Sequence, residues 1–233
     1  MSWAEVFKIN SNMNKPINEQ IRESVYKSIR VIKSTSTFTP EKTGIYKIIC
    51  VGAGGNGTYK GAYQDCMGVS GGGGGVAIKT LRLSKTSSYN INIGTAISFM
   101  TPDGDFIEAY NGDSGSSSNS NKISGGTAAG GDENYTGDVG NRVYSGNTFP
   151  KGGSVGVYIG ELYREQTGTL MLGSTKSSTD GLKSCVYTCG GGLLGLGGGG
   201  TGAGFYTDDA YSGGVAIPGS PGGVIIIPLE MEE

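Results

Sequence analysis

Gly71-Gly72-Gly73-Gly74-Gly75 is the longest glycine run in this 233-residue chain, and it leads directly into the apolar segment Val76-Ala77-Ile78. Glycine has no side chain to bury and loses more conformational freedom on folding than any other residue. A flexible linker would continue into polar chain, whereas this run enters a segment apolar enough for a core. We therefore expect the glycines to pack against other glycine segments; disordered glycine-rich loops are the alternative.

A packed glycine segment is expected to form a polyproline-II-type helix, with three residues per turn and no internal hydrogen bonds. Its backbone N–H and C=O groups point outward and need partners. A net ~0.5–1.5 kcal/mol per hydrogen bond does not offset ~1–2 kcal/mol of backbone entropy per residue, so a single helix of this kind is unstable alone. A bundle needs many glycine segments, and 44 of the 45 glycines lie between Gly52 and Gly223. Because the glycines show no Gly-X-Y period, the chain is not a collagen.

Residues 1–27 contain no glycine and show helical periodicity. Their apolar positions are Trp3, Val6, Phe7, Met13, Ile17, Ile21 and Val25. We expect a first short helix before about Asn14 and a second from about Pro16 to Lys27, because proline fits the first turn of a helix. So short a helix is marginal in water, so its apolar stripe needs a partner: the domain behind it, another protein or another copy of the chain.

The apolar period changes to two after Ser28, which predicts strands around 29–31, 45–51, 76–83, 89–93 and 106–110. The final segment Val224-Ile225-Ile226-Ile227 is strongly β-forming and indicates burial on both faces. Between Asn111 and Tyr211 the pattern is lost, and we expect glycine segments and polar loops there. The fold class that follows is mainly β: a small β-sandwich with inserted glycine-rich polyproline-II-type helices, preceded by a short helical segment. We divide the chain into an attachment segment, 1–27, and a glycine-rich β domain, 28–233.

Composition limits the function. A net charge of −2 provides no electrostatic footprint for nucleic acid. The first 30 residues have no apolar stretch of the kind found in a secretion signal, so we expect synthesis in a cytoplasm and no membrane insertion. Cysteines occur at Cys50, Cys66, Cys185 and Cys189. Their spacing does not match zinc patterns, and reduced thiols are the default in a cytoplasm, although the sequence leaves their pairing open. We expect neither a cofactor nor a metal.

Three motifs that resemble catalytic or ligand sites lack what their chemistry requires. Gly52 to Gly57 matches G-x-G-x-x-G after a strand, but no helix follows to face a pyrophosphate. Gly152 to Gly156 matches G-x-S-x-G, but the chain has no histidine to activate the serine. Asp103 and Asp105 could offer oxygen ligands to calcium, although an ordinary turn is the simpler interpretation. We therefore predict that the protein is not an enzyme.

Tyrosine and aspartate set among serine, asparagine and glycine are typical of recognition loops, because a rigid amphipathic ring supplies contact area at low entropic cost. We expect the binding loops to be 58–66, 132–147 and 205–212. The candidate receptor-binding residues are Tyr59, Tyr63, Tyr135, Tyr144, Tyr206, Asp208, Asp209 and Tyr211.

Three stretches carry a resemblance to a known class of proteins: the strand entering Val51-Gly52-Ala53-Gly54-Gly55, the Gly71–Ile78 stretch and the terminal Gly222–Ile227 strand. Together they resemble the glycine-rich domains of bacteriophage tail-fibre and receptor-binding proteins, with the tail-fibre tip adhesins of T-even-like phages as the closest functional analogy. The opening Met1–Asn10 is similar to short tail-attachment leaders of phages of Gram-positive bacteria. Outside these stretches the likeness is one of composition, and the glycine runs are shorter than in those adhesins. Glycine-rich receptor tyrosine kinase ectodomains are disfavoured by the absent signal and few cysteines.

The resemblance implies a virion protein of the tail fibre or baseplate tip, made in the host bacterial cytoplasm. Its partners would be a phage tail protein, through residues 1–27, and a bacterial cell-surface protein or glycan. The leader is compatible with one copy or with a homotrimer. One alternative is a structural tail component without receptor binding. Another is a surface-polysaccharide hydrolase using paired carboxylates, for which the adjacent acids Asp132/Glu133 and Asp208/Asp209 are the candidates.

Overall fold

The computed structural model describes residues 28–60, 67–115, 123–143, 151–172, 183–200, 202–207 and 210–232. The predicted helical segment 1–27 lies outside these residues. Within them the protein is mainly β, as predicted from the alternating apolar pattern. Strands run over Arg30–Ile32 (β1), Ser36–Phe38 (β2), Gly44–Val51 (β3), Thr58–Lys60 (β4), Met67–Val69 (β5), Val76–Leu83 (β6), Tyr89–Ile93 (β7), Ala96–Met100 (β8), Phe106–Tyr110 (β9), Ala128–Ala129 (β10), Glu133–Tyr135 (β11), Arg142–Val143 (β12), Tyr163–Leu172 (β13), Lys183–Leu193 (β14), Gly202–Thr207 (β15), Ala210–Ala216 (β16) and Gly223–Met231 (β17), with one 3₁₀ turn at Gly160–Leu162.

Two five-stranded sheets form a β-sandwich-like core. The first has the strand order β1-β17-β3-β6-β11 and the second has the order β10-β9-β8-β7-β2. In the first sheet, the central strand β3 pairs antiparallel with both β17 and β6. The sheets enclose apolar side chains such as Ile48, Phe99 and Ile226, and Tyr89 stacks on Phe99 with ring centroids 5.5 Å apart. This cluster is the hydrophobic core of the sandwich.

The first sheet is buried on both faces. Ile226 packs toward the second sheet, whereas its neighbour Ile225 packs into a second cluster with Val155, Leu193 and Leu196. Both isoleucines are at most 1% exposed, which confirms the prediction drawn from the run of isoleucines. The second cluster joins the sandwich to the glycine-rich half of the chain.

The glycine run 71–75 connects β5 to β6 and lies in neither a strand nor a helix. Its hydrogen bonds repeat every three residues. The N–H groups of Gly71 and Gly74 donate to the carbonyls of Gly200 (2.9 Å) and Gly197 (2.8 Å). Those of Gly72 and Gly75 donate in the same way to Asp113 and Tyr110, and those of Ser70 and Gly73 to Asn141 and Asp138. The N–H groups on each of the three sides of the run therefore donate to a different stretch of the chain, and each of these stretches is antiparallel to the run.

The carbonyl groups of the same run accept hydrogen bonds from three further stretches. Gly72 and Gly75 accept from Gly55 and Gly52, while Gly71 and Gly73 accept from Gly153 and Gly126. The run is thus surrounded by other stretches of the chain and bonded to them through its backbone. This meets the requirement, inferred from the sequence, that the glycines must find partners outside their own segment.

Only glycine fits this arrangement. A Cβ atom placed on any residue from Gly71 to Gly75 would lie 1.9–2.1 Å from a backbone oxygen of a neighbouring stretch. That is far inside the ordinary contact distance of 3.4–4 Å. The absence of side chains is therefore what allows the segments to approach to hydrogen-bonding distance.

The expectation that the chain between Asn111 and Tyr211 lacks regular strands is wrong. The long hairpin β13–β14 and most of a second hairpin, β15–β16, lie there, together with the short strands β10, β11 and β12. In β13 and β14 the apolar residues stand in consecutive runs, Leu170–Leu172 and Cys185–Tyr187, rather than at alternate positions, so the period-two signal that identified the sandwich strands is weak there.

Candidate functional site

The central glycine run has one end at the sandwich and one end away from it. Gly75 leads into β6 and donates to Tyr110 at the end of β9, both in the sandwich. At the other end, the buried Ser70 anchors two stretches. Its Oγ donates to the carbonyl of Lys151 (2.8 Å) and accepts from the N–H of Asn141 (2.7 Å). We call the Ser70 end the loop end and the sandwich the base.

A short three-stranded sheet, β12-β5-β4, continues from Ser70 away from the base. Its outermost pair is Lys60 and Met67, and β12 pairs Val143 with Gly68. Residues 61–66, between Lys60 and Met67, and residues 144–150, after Val143, lie outside the described residues. The candidates Tyr63 and Tyr144 belong to these two ranges. Tyr59 lies in β4, in register with Gly68.

The hairpin β15–β16 lies beside this sheet. The residues that flank the hairpin, Gly200 and Ile217, accept hydrogen bonds from the N–H groups of Gly71 and Gly57, at 2.9 and 3.0 Å. β15 contacts β4 and β5, and β16 contacts β4. Tyr206 and Tyr211 are direct cross-strand partners next to the terminal pair Thr207 and Ala210. Asp208 and Asp209, which join this pair, lie outside the described residues.

The described parts of the predicted loops 58–66 and 205–212, in β4, β15 and β16, are therefore neighbours at the loop end. The third, 132–147, divides between two places. Its last described residues, in β12, are at the loop end, but Tyr135 is in β11, opposite Val76 at the edge of the first sheet. The structure thus separates Tyr135 from the other described candidates.

Tyr135 is half-buried against the second apolar cluster, and its hydroxyl donates to the carboxylate of Glu133. This hydrogen bond is the main reason why the pKa of Tyr135 is raised. Tyr110 makes the same kind of bond to Glu108, with the same effect on its pKa. Both tyrosines keep their protons at neutral pH and act as hydrogen-bond donors.

Two further parts of the chain, the hairpin β13–β14 and the stretches that end at Gly115 and begin at Ile123, lie outside the predicted binding loops. The hairpin β13–β14 starts at the base, where Tyr163 pairs with Leu193, and runs outward to the pair Leu172 and Lys183. Gly115 donates to Asn56, next to β4, and Ile123 is bridged to Gly140, next to the Ser70 anchor. Sequence reasoning missed the β13–β14 hairpin, although the β-forming run Cys185-Val186-Tyr187 and the polar Ser-Thr-Asp-Gly stretch at 178–181 are a weak hairpin signal.

The chain enters at the opposite end. β1 starts at Arg30 and pairs with Ile226, and β17 runs from Gly223, beside the glycine segments, to Met231 at the far edge of the sandwich. The residues that precede Ser28 therefore join the base. Arg30 pairs with the fourth residue of β17, so the glycine segments and the start of the first sheet lie between it and the loop end.

The motifs that resemble catalytic sites have structural roles here. The N–H groups of Gly52, Gly54 and Gly55 donate to Gly75, Ser220 and Gly72, so they are not free to bind a phosphate. Ser154 Oγ accepts from the N–H of Gly191 at 3.1 Å and so links two glycine stretches.

The acidic residues named for the hydrolase alternative are also bonded within the protein where the structure describes them. Asp132 accepts from the N–H of Thr80 at 3.0 Å, and its neighbour Glu133 accepts from Tyr135. Cys50 and Cys189 are buried, and neither is part of a disulfide. The described residues contain no group of three or more histidine, cysteine, aspartate or glutamate side chains placed to hold a metal.

Neither a protein-family model nor a curated protein sequence matches this chain. In the part of the chain that the structure describes, no helix is long and apolar enough to cross a bilayer. The case for a function therefore rests on the residues themselves and on their arrangement.

Proposed function

We propose that this protein is a receptor-binding protein of a bacteriophage or phage-tail-like particle, which recognises a cell-surface protein or glycan through the loop end. One observation carries the proposal: the chain enters at the base, and strands bearing Tyr59, Tyr206 and Tyr211 come together at the opposite end. An adhesin needs this polarity, because one end must attach to the particle while the other meets the cell.

The scaffold supports the same function. We propose that the glycine stretches are polyproline-II-type helices, because their hydrogen bonds to each neighbour recur at every third residue. Such helices are bonded to one another mainly through backbone atoms, so the loops that connect them at the loop end can differ in sequence without altering the packing. Binding residues on loops held by a rigid scaffold are the usual arrangement in recognition proteins.

The hairpin β15–β16 is the segment we expect to contribute most. Two tyrosines in direct register give a pair of large amphipathic side chains at adjacent positions, and tyrosine is enriched among residues that dominate binding energy. Residues 1–27 would attach the protein to a tail protein, which places it at the tip of a fibre or baseplate.

The test is binding of the purified, fluorescently labelled protein to a panel of bacterial strains, with protease-treated and glycan-stripped cells alongside. We expect strain-selective binding, and the treatment that abolishes it identifies the receptor class. The double variant Tyr206→Ala/Tyr211→Ala should weaken binding at least tenfold, since a dominant contact contributes about 2 kcal/mol or more. Tyr158→Ala is the matched control, because Tyr158 is 75% exposed and lies beside Tyr163 near the base.

The two alternatives give different results. A structural tail component would bind no strain although folded, and a polysaccharide hydrolase would release sugar fragments from cell-wall preparations. Unchanged binding by the Tyr206/Tyr211 variant would refute the choice of hairpin while leaving receptor binding itself intact.

A further inference from the structure

A groove opens at the base, on the side where the two sheets of the sandwich are not closed. It lies between β1, an edge strand of the first sheet, and β2, an edge strand of the second. Its volume is about 680 Å³, and apolar side chains form much of its lining: Val31, Ile32, Phe38, Tyr46, Ile226 and Met231. We call it the base groove.

The base groove leaves apolar surface uncovered. Val31 is 38% exposed and Met231 is 36% exposed. The rim carries charges of both signs, with Arg30 and Glu41 paired at 3.0 Å and Lys42 beside them. An apolar surface bordered by charges is complementary to an amphipathic helix that carries both signs on its polar side.

The first described residue, Ser28, is itself part of the groove lining. The residues before it therefore begin at the groove, and in their sequence Ile17, Ile21 and Val25 recur every four positions. That spacing places the three side chains on one face of the helix expected from Pro16 to Lys27. Glu19, Glu23 and Lys27 supply charges of both signs.

We propose that residues 16–27 dock into the base groove of their own chain, with Ile17, Ile21 and Val25 covering its apolar lining. A helix of this length is about 18 Å long, and its last residue, Lys27, directly precedes Ser28 of the groove lining. A tether that short gives the segment a high effective concentration at the groove, which favours it over a second copy of the chain. The proposal goes beyond receptor binding and does not depend on it.

The first test is zero-length carbodiimide cross-linking of the full chain, using an equal mixture of ¹⁴N- and ¹⁵N-labelled protein. We expect cross-links from Glu19 or Glu23 to Lys42 within single chains, independent of protein concentration. Cross-linked peptides that join a light to a heavy partner as often as random pairing of chains requires would overturn the proposal in favour of a second copy. Absence of any cross-link from residues 16–27 to the groove would overturn docking altogether.

The second test is a double-mutant cycle on the thermal midpoint of the full chain. Ile21→Ala and Val31→Ala should each lower Tm by about 2–4 °C, and the double variant should lower it no further than the larger single effect. Ser24→Ala with Met100→Ala is the control pair, because Ser24 is off the stripe and Met100 is exposed on the other sheet, away from the groove. Strictly additive effects of Ile21→Ala and Val31→Ala would refute the contact.

Discussion

Replacing Gly73 with alanine tests whether close backbone packing holds the glycine segments together. Gly73 is in the middle of the central run, where its N–H donates to Asp138 and its carbonyl accepts from Gly126, at 2.9 and 2.8 Å. A Cβ at this position would lie 2.0 Å from the carbonyl oxygen of Ser154 and 2.9 Å from that of Gly153. To reach an ordinary contact distance of 3.4 Å, the neighbouring stretch must move by about 1.4 Å.

That displacement breaks hydrogen bonds which the neighbouring stretch makes elsewhere. Asp138 donates to Ser154 at 2.7 Å, and Gly153 donates to Gly71 at 3.0 Å. A buried polar group that loses its partner costs ~1–3 kcal/mol, so two such losses amount to about 2–6 kcal/mol. Alanine also restricts the unfolded chain, which offsets only ~0.4–1 kcal/mol. The steric effect therefore dominates, and we expect Gly73→Ala to be destabilised by about 2–5 kcal/mol.

The assay is thermal unfolding followed by circular dichroism, in which this loss corresponds to a fall in Tm on the order of 10 °C. Gly94→Ala is the matched control. A Cβ at Gly94 would meet no atom closer than 4.0 Å, so this variant should be neutral or slightly stabilised. If Gly73→Ala melted within about 2 °C of Gly94→Ala, the glycine segments would not be packed as described.

Three further predictions concern individual side chains. Ser70→Ala removes the acceptor for the N–H of Asn141 and the donor to Lys151, and should cost ~1–3 kcal/mol in urea unfolding; an unchanged midpoint would contradict the anchoring role. Burial raises the pKa of the Cys50 thiol, so the unfolded chain releases a proton near pH 9.0 that the folded chain retains, and stability should fall as pH rises above that value. The fall should be shallower in Cys50→Ala, and equal slopes in the two proteins would argue against the buried thiol. The hydrogen bond that Lys151 donates to Glu165 raises the pKa of Lys151 above 10.5, so this pair stabilises the fold at neutral pH and its contribution is lost as pH rises beyond that value. Because both side chains are nearly half exposed, Glu165→Gln should cost less than ~1 kcal/mol, and a larger loss would mean that Glu165 has a second role.

The sandwich was predictable because its strands alternate apolar and polar residues at the period that a sheet requires. In β3, Tyr46 and Ile48 face the second sheet and Ile49 faces the other cluster, as their positions in the sequence imply. The need for glycine segments to bond one another was also predictable, because Gly71–Gly75 has no other means of satisfying its backbone.

Which glycine segment bonds to which was not predictable from the sequence. Gly74 donates to Gly197 rather than to any of the other glycines, and no side chain distinguishes these choices in the sequence. The same limit explains Tyr135, whose pairing with Val76 at a sheet edge depends on how the glycine stretches are arranged around it. The hairpin β13–β14 was missed because its apolar residues stand in consecutive runs, such as Leu170–Leu172, rather than at alternate positions.

The glycine segments also determine how the stability of the protein varies with temperature. Exposing apolar surface raises the heat capacity of unfolding by about 0.45 cal/mol/K per Å², whereas exposing polar surface lowers it by about 0.26. The sandwich buries isoleucine and phenylalanine, but the run Gly71–Gly75 and its neighbours bury mostly peptide groups. Unfolding should therefore raise the heat capacity by less than the roughly 3 kcal/mol/K typical of a globular chain of this length. The stability curve is then unusually flat, and folding persists at low temperature, where proteins built around apolar cores lose stability.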